Sequence, residues 1–365
     1  MKAMKVLVLA PSLKAIGGVQ SYTKTLAAGL EETLGRTHVR MVAVPGEPGL
    51  QKDGSSGLPP SVKAIFFLRA LATAMLWRPN LVICTHLGVA PAAQIIEKCC
   101  GIRYWLVLHG IEVWGALPAP KERALRGAQC YVALTRFTLD ATIARHALGK
   151  PAAVFLPPPL ASVPRSAAGA SSSSPVPVVL TVGRLSAVER YKGHDVMLET
   201  WPTVIQSVPD AEYWIVGDGD DRARLESRAR ALGIADSVRF MGALSGDKLN
   251  VAYDSCRVFA MPARTELNGD SPQGEGFGIV YIEAMSHGKP VVGPRTGAPA
   301  EFIRSGEHGL LVDPSNQAEI AQALIDLLTD RDRAGQMGKN AKQWVNQEFT
   351  RENFLRRIAD ALRKN

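Results

Sequence analysis

Apolar runs of strand length alternate with longer helical patterns along nearly the whole chain, the signature of βαβ units joined into parallel sheets. Lys5 to Leu9, Leu81 to Thr85, Tyr104 to Leu108 and Cys130 to Leu134 read as strands, each followed by a helical stretch. The pattern breaks between Pro157 and Pro175, where PPPLASVPRSAAGASSSSP is too rich in proline and serine to pack. It then restarts at Val176 and runs through strands at Glu212 to Val216, Val238 to Met241 and Val258 to Met261. At 365 residues the chain has room for two domains of ordinary size, about 150 residues each. The expected division is a first domain over 1–163, a linker over 164–175, a second domain over 176–345, and a terminal helix over 346–365 that packs back toward the first. Ligands in doubly wound α/β sheets sit outside the carboxyl ends of strands, so the loops that follow strands carry the candidate chemistry.

Composition narrows the class. Hydrophobic residues make up 46% and charged residues 21%, with 33 glycines and 24 prolines, which excludes collagen, coiled coil and intrinsic disorder. Five cysteines include no C-x-x-C pair and no cluster at metal spacing, so neither a zinc ribbon nor a disulfide framework is expected and a reducing cytosol is. Met4 to Ala10 is strand-like and shows no secretion-signal pattern. The net charge of +8 favours anionic partners. With 6% aromatic residues and no basic run interleaved with them, a nucleic-acid partner is not expected. Val62 to Trp77 is apolar, but it carries Lys63 and Arg69, is closed by Arg78-Pro79 and falls short of the ~20 residues a bilayer requires. It reads as a half-buried helix, with an amphipathic face resting on an anionic inner membrane leaflet as the functional alternative.

Three segments carry residues suited to one kind of ligand. Gly17-Gly18 follows the first strand and opens the first helix, where bare N–H groups can cradle a phosphate. It lacks the G-x-G-x-x-G spacing of a dinucleotide site, and a tight loop is the bland reading. In GRLSAVERYKG, Arg184 directly follows a strand and Lys192-Gly193 opens a helix, so a fork and a point charge can neutralise a diphosphate without a metal. Glu189 and Arg190 between them read as a solvated pair. In GEGFGIVYIEAMSHGKPVV, Glu275 and Glu283 stand eight residues apart on either side of a Gly276-Phe277-Gly278 turn. The helix starting near Gly278 aims its N–H groups at any anion in front of it, and Glu283 can accept hydrogen bonds from two vicinal hydroxyls, as a ribose offers. His109 ends a strand, where a histidine is as readily satisfied by a backbone carbonyl as functional; His86 ends the strand before it and carries no comparable motif. Asp218-Gly-Asp220 and Asp330-Arg-Asp332 fit a loose D-x-D metal pattern, but WIVGDGDDRARLE reads better as a strand, a Gly-Asp turn and a helix start.

Taken in order, GGVQSYTKTLAAGL, LHGIEVW, VALTRFT, VGRLSAVERYKGHDVML, WIVGDGDDRARLE, FMGAL and EGFGIVYIEAMSHGKPVVGPRTGAPAEFI resemble the family-four retaining glycosyltransferases of the GT-B fold, over nearly the whole chain. That resemblance implies an α/β architecture of two Rossmann-like domains facing across a cleft. It implies that Arg184 and Lys192 hold the donor diphosphate with the helix start at Ile279, and that Glu283 holds the ribose. Glu275 and the Phe277-Gly278 backbone would hold the donor sugar, with His109 near its 6-position. Gly17 and Gly18 would approach the phosphate or the acceptor, and the Met241 to Leu244 stretch would line the base. The sequence departs from the family at Pro157-Pro158-Pro159-Leu160, where many members have Asn-Gly after a proline, and in the polar insert Arg264 to Gln273.

The implied reaction moves a hexose, mannose favoured, from a GDP- or UDP-linked sugar to a hydroxyl acceptor of the cell envelope, lipid-linked or glycan, with retention and with neither cofactor nor metal. The implied place is the cytoplasm, peripheral on the inner face of the membrane. Two other classes stay open: a same-fold nucleotide-sugar epimerase or phosphorylase, and a non-catalytic module that binds nucleotide sugar or lipid.

Overall fold

A computed structural model describes residues 4–14, 17–46, 59–160, 176–268 and 271–364. The linker expected over 164–175 lies outside the described residues. The chain divides into two compact units, one of Met1–Pro159 with Arg351–Asn365 and one of Leu160–Thr350.

The first unit runs β1 (Val6–Ala10), α1 (Gly18–Leu34), β2 (Val39–Ala43), α2 (Pro60–Trp77), β3 (Leu81–Cys84), α3 (Ala90–Cys100), β4 (Tyr104–Leu108), α4 (Ile111–Trp114), α5 (Ala119–Arg126), β5 (Cys130–Ala133), α6 (Arg136–His146) and β6 (Ala152–Phe155). Its six strands are parallel and ordered β2-β1-β3-β4-β5-β6. VLVLA, LVIC and YWLVL are buried along their whole length, as strands covered on both faces must be, whereas the edge strand β2 shows buried and open positions in turn. The second edge, β6, was not expected from the sequence. AAVF is short, only partly buried and followed closely by a proline run, so it carries little strand signal of its own and is held by pairing with β5.

The second unit runs β7 (Val178–Val182), α7 (His194–Ser207), β8 (Glu212–Val216), α8 (Arg222–Ala231), β9 (Val238–Gly242), α9 (Asp247–Ser255), β10 (Val258–Ala260), α10 (Ile279–Ser286), β11 (Val291–Pro294), β12 (Gly309–Val312), α11 (Gln317–Thr329) and α12 (Arg331–Glu348). Its sheet is ordered β12-β11-β10-β7-β8-β9, again parallel. Trp201 of α7 and Tyr213 of β8 pack at 5.3 Å between ring centres in a core that also takes in Leu198, Leu225, Val258 and Leu324. Each such side chain contributes about 1.5–3 kcal/mol by leaving water. Helix starts are set by short polar caps: Asn316 accepts from Glu319 N–H at the head of α11, and Asp330 from Arg333 N–H at the head of α12.

The chain leaves the second unit after Thr350, and α13 (Arg351–Arg363) belongs to the first, where Phe354 and Ile358 are buried against Gly29 of α1. Leu160 N–H donates to Phe349 C=O at 2.9 Å, which ties together the two places where the chain enters and leaves the second unit. Helix α2 corrects one expectation: rather than half-buried, it turns only Phe66, Ala70 and Ala74 fully inward and leaves Ile65, Leu68, Met75 and Leu76 exposed. Among the described residues it is the one helix long and apolar enough, by length and composition alone, to cross a membrane.

Candidate functional site

In each sheet the strand order reverses once. In the second unit β7 is flanked by β8 on one side and β10 on the other, so the chain winds outward in both directions from the gap between β7 and β10. Loops at the carboxyl ends of those two strands part there and leave a crevice. Arg184 stands two residues past the end of β7, and Glu275 lies in the loop that joins β10 to α10.

The crevice brings Lys192 and Glu275 together as an ion pair, although they are 83 residues apart in sequence. Both side chains are largely enclosed, at 13% and 14% exposure, so the pair is only partly screened by water. Gly193 explains the approach. Its φ is +88°, and a Cβ there would stand 2.6 Å from the Pro262 carbonyl oxygen, so only glycine lets the segment after Lys192 lie against the chain leaving β10. Glu189 corrects an expectation. It is not half of a solvated pair with Arg190: one carboxylate oxygen pairs with Arg184 and the other stands 3.9 Å from Lys192 Nζ. Arg190 turns instead to Asp221, which Arg224 also grips and whose carboxyl is held below its ordinary range chiefly by the Arg224 hydrogen bond. Arg184, Glu189, Lys192 and Glu275 thus form one chain of alternating charges. Arg184 is its open end, at 69% side-chain exposure.

Beside Lys192, His194 opens α7 buried, with no hydrogen-bond partner for its Nε2. Burial, with the Lys192 charge, lowers its pKa to about 4, so the ring is neutral at physiological pH and adds no second positive charge behind Lys192.

Glu283 lies in the second turn of α10 in a separate cluster. The Tyr253 hydroxyl donates to its Oε2 at 2.9 Å, Tyr253 stacks on His287 at 5.2 Å, and His287 Nδ1 meets Asp254 at 2.7 Å. Burial pushes the Glu283 carboxyl up, against the opposing pull of the Tyr253 hydrogen bond and the nearby His287. Placing a carboxylate in so dry a spot costs stability, a cost that function can explain. Tyr253 orients Oε2, and Oε1 has no hydrogen-bond partner among the described residues.

Gly278 caps α10, and the N–H groups of Ile279 and Val280 have no acceptor within their own helix, as at any helix start. Phe277 is 8% exposed, and its ring packs on Phe302 at 5.3 Å and Phe349 at 6.0 Å, which leaves the ring facing other aromatic rings. Met241 and Leu244 stand at the carboxyl end of β9, two strands from β7, with Met241 exposed and Leu244 half-buried. The insert Arg264 to Gln273 is pinched at its base, where Glu266 and Gln273 exchange backbone hydrogen bonds at 2.8 and 2.9 Å.

The first unit reverses its order between β1 and β3. Gly17 and Gly18 follow β1, and a Cβ at Gly18 would meet nothing within 4 Å. His109 follows β4; its ring meets Tyr22 of α1 edge-on at 5.5 Å, and its Nε2 donates to the Thr85 carbonyl at 2.8 Å. His86, which carries no comparable motif in the sequence, stands 6.2 Å from His109 between ring centres. The available signal was its place at the end of β3, the strand beside the reversal. The D-x-D candidates do local work: Asp220 accepts from Ala187 N–H, Asp218 from Gly219 N–H, and Asp330 caps α12. Among the described residues no cluster of three or more His, Cys, Asp and Glu side chains is arranged to hold a metal ion.

Residues 168–344 match the family model described as glycosyl transferases group 1. The GDP-mannose-dependent alpha-(1-6)-phosphatidylinositol monomannoside mannosyltransferase of Mycobacterium tuberculosis is 36% identical over 183 residues, 50% of this chain and 47% of that protein. The protein of the same name from Mycolicibacterium smegmatis is 30% identical over 357 residues, 90% of each chain. The chain therefore spans about half the length of the first relative and nearly all of the second. Anabaena HepE, solved in complex with UDP, superposes with a TM-score of 0.77 at 19% identity, over 99% of this chain and 100% of that one, which shows a shared fold.

Proposed function

Because the chain belongs to the group 1 glycosyl transferases, we propose that it transfers mannose from GDP-mannose to a hydroxyl of a lipid-linked acceptor, with retention at the anomeric carbon. The carrying observation is the Arg184–Glu189–Lys192–Glu275 chain at the reversal point of the second sheet. The diphosphate of a sugar nucleotide carries two negative charges, which match those of the two carboxylates it displaces, Glu189 from Arg184 and Glu275 from Lys192. Glu275, once released from Lys192, becomes an acceptor for sugar hydroxyls.

The chemistry then follows. As the bond from the anomeric carbon to the diphosphate oxygen breaks, charge builds on the leaving group, where Lys192, Arg184 and the N–H groups opening α10 stabilise it. The acceptor hydroxyl forms its new bond on the same face, and the departing phosphate oxygen takes its proton. Fixed cations of the protein supply the positive charge, so no divalent ion enters the reaction. Glu283 holds the ribose, and the β9 end with Met241 and Leu244 lines the base. The names of the two mycobacterial relatives support mannose, GDP and a lipid acceptor.

The experiment is transfer of radiolabelled mannose from GDP-mannose to a crude lipid extract, in EDTA. Labelled lipid supports the reading; no transfer from GDP-mannose, or transfer only after manganese is restored, overturns it. Glu283→Gln tests the ribose contact. A carboxyl whose folded pKa is raised binds its proton more readily in the native than in the unfolded chain, so stability falls as pH rises from the ordinary carboxylate range through the raised value. The Gln variant loses that slope and melts at least as high as wild type at pH 7, while its calorimetric affinity for GDP falls about tenfold or more, the worth of a charge-assisted hydrogen bond. Unchanged GDP affinity would remove Glu283 from the site.

Helix α2 supports work at a membrane surface on the cytoplasmic side. Ile65, Leu68, Met75 and Leu76 are exposed and Lys63, Arg69 and Arg78 flank them, a composition that suits anionic head groups. Co-sedimentation with anionic vesicles is expected for wild type and weakened several-fold by Leu68→Ser with Leu76→Ser; equal binding to neutral vesicles would argue against it.

A further inference from the structure

His86 and His109 lie 6.2 Å apart between ring centres, each with one ring nitrogen engaged by the backbone. A carbonyl oxygen only accepts, so the Nε2 of His109, 2.8 Å from Thr85 C=O, carries a proton, and in the neutral ring Nδ1 is an acceptor. Gly88 N–H donates to Nδ1 of His86 at 3.0 Å, so in the neutral ring Nε2 of His86 carries the proton and is a donor. Burial, the first cause, together with the neighbouring His109, lowers the pKa of His86 and keeps that ring neutral. Neither His109 Nδ1 nor His86 Nε2 has a protein partner among the described residues, and both rings are only half-buried.

A hydroxyl group is both donor and acceptor, and one hydroxyl can satisfy both nitrogens when they lie within about 5.6 Å, twice an ordinary hydrogen bond. Ring centres 6.2 Å apart and inclined at 32° allow that spacing. The place is the reversal point of the first sheet, beside the Gly17-Gly18 opening of α1, and Tyr22 fixes the His109 ring from the α1 side while its own hydroxyl is anchored on Leu156 C=O at 2.8 Å. We propose that His86 is a substrate-positioning residue, donating from Nε2 to a hydroxyl whose own proton goes to Nδ1 of His109. The hydroxyl belongs to the donor hexose or to the acceptor. The proposal rests on the transferase reading above.

His86→Asn keeps an acceptor near the position of Nδ1 for Gly88 N–H but removes the N–H at Nε2, and His86→Gln places an N–H at nearly the reach of Nε2. The expected result for His86→Asn is a wild-type melting temperature and wild-type GDP affinity by calorimetry, with kcat/KM lowered about tenfold and partly restored in His86→Gln. A rise in KM for GDP-mannose, or faster loss of discrimination among hexose donors, assigns the hydroxyl to the sugar; a rise confined to the lipid acceptor assigns it there. Wild-type kcat/KM for both substrates in a folded His86→Asn overturns the proposal while the transferase reading stands. A wild-type protein that transfers nothing overturns both.

Discussion

Replacing Lys192 by alanine is expected to lower kcat by at least about a hundredfold, the loss that follows removal of one main charge partner of a developing anion. The ammonium of Lys192 sits between Glu275 and Glu189, and all three side chains are less than one-sixth exposed. In the proposed reaction its loss removes a positive charge that faces the diphosphate, and it leaves two enclosed carboxylates without their shared cation, so affinity for the nucleotide is expected to fall with turnover. Lys192→Arg is not expected to restore the rate. A guanidinium spreads its charge over a planar fork, whereas the ammonium places a point charge between Glu275 and Glu189. Single-turnover kinetics with saturating GDP-mannose separate the chemical step from binding. Near wild-type turnover in Lys192→Ala would take this lysine out of the mechanism and leave Arg184 as the cation.

The largest expected effect on stability comes from a residue that touches no ligand. Gly217 follows β8 with a φ of +144°, and a Cβ there would fall 1.8 Å from the carbonyl oxygen of Gly183. That oxygen cannot move aside, because Gly183 N–H is bonded to Val216 C=O at 2.9 Å and Leu185 N–H to Asp218 C=O at 3.1 Å, so the two loops clamp the backbone around Arg184. Gly217→Ala therefore combines a disallowed backbone with a collision between main chains and is expected to cost roughly 3–5 kcal/mol. At roughly 2–4 °C per kcal/mol for a unit of this size, the second unit should melt about 10 °C lower. Gly233→Ala is the control: Gly233 also has a positive φ, +69°, but open space where the Cβ would go, so its cost is that of the backbone alone, about 1 kcal/mol. Equal melting temperatures for the two variants would mean that the Gly183–Gly217 contact is not rigid.

Much of the architecture was written in local patterns. Hydrophobic period and run length separate strands from helices, and proline and serine mark the break after Pro157, because these signals act over one turn or one strand. The two glutamates on either side of Phe277-Gly278 could be picked out for the same reason: their spacing lies within one loop and one helix. Where local signal was weak the reading failed, as at β6, whose four residues become a strand only by pairing with β5.

Local pattern alone established two α/β halves, the loops in which polar residues gather, and the charge types those loops carry. Strand order decided the rest, since it is set by packing between segments far apart in the chain. Placing β10 beside β7 sets Glu275 against Lys192 across 83 residues, and placing β3 between β1 and β4 sets His86 beside His109. Neighbours in sequence were parted by the same cause. Glu189 turns toward Lys192 and Arg190 toward Asp221, because each charge follows the partner that the tertiary fold puts within reach, and spacing along the chain carries no information about that partner.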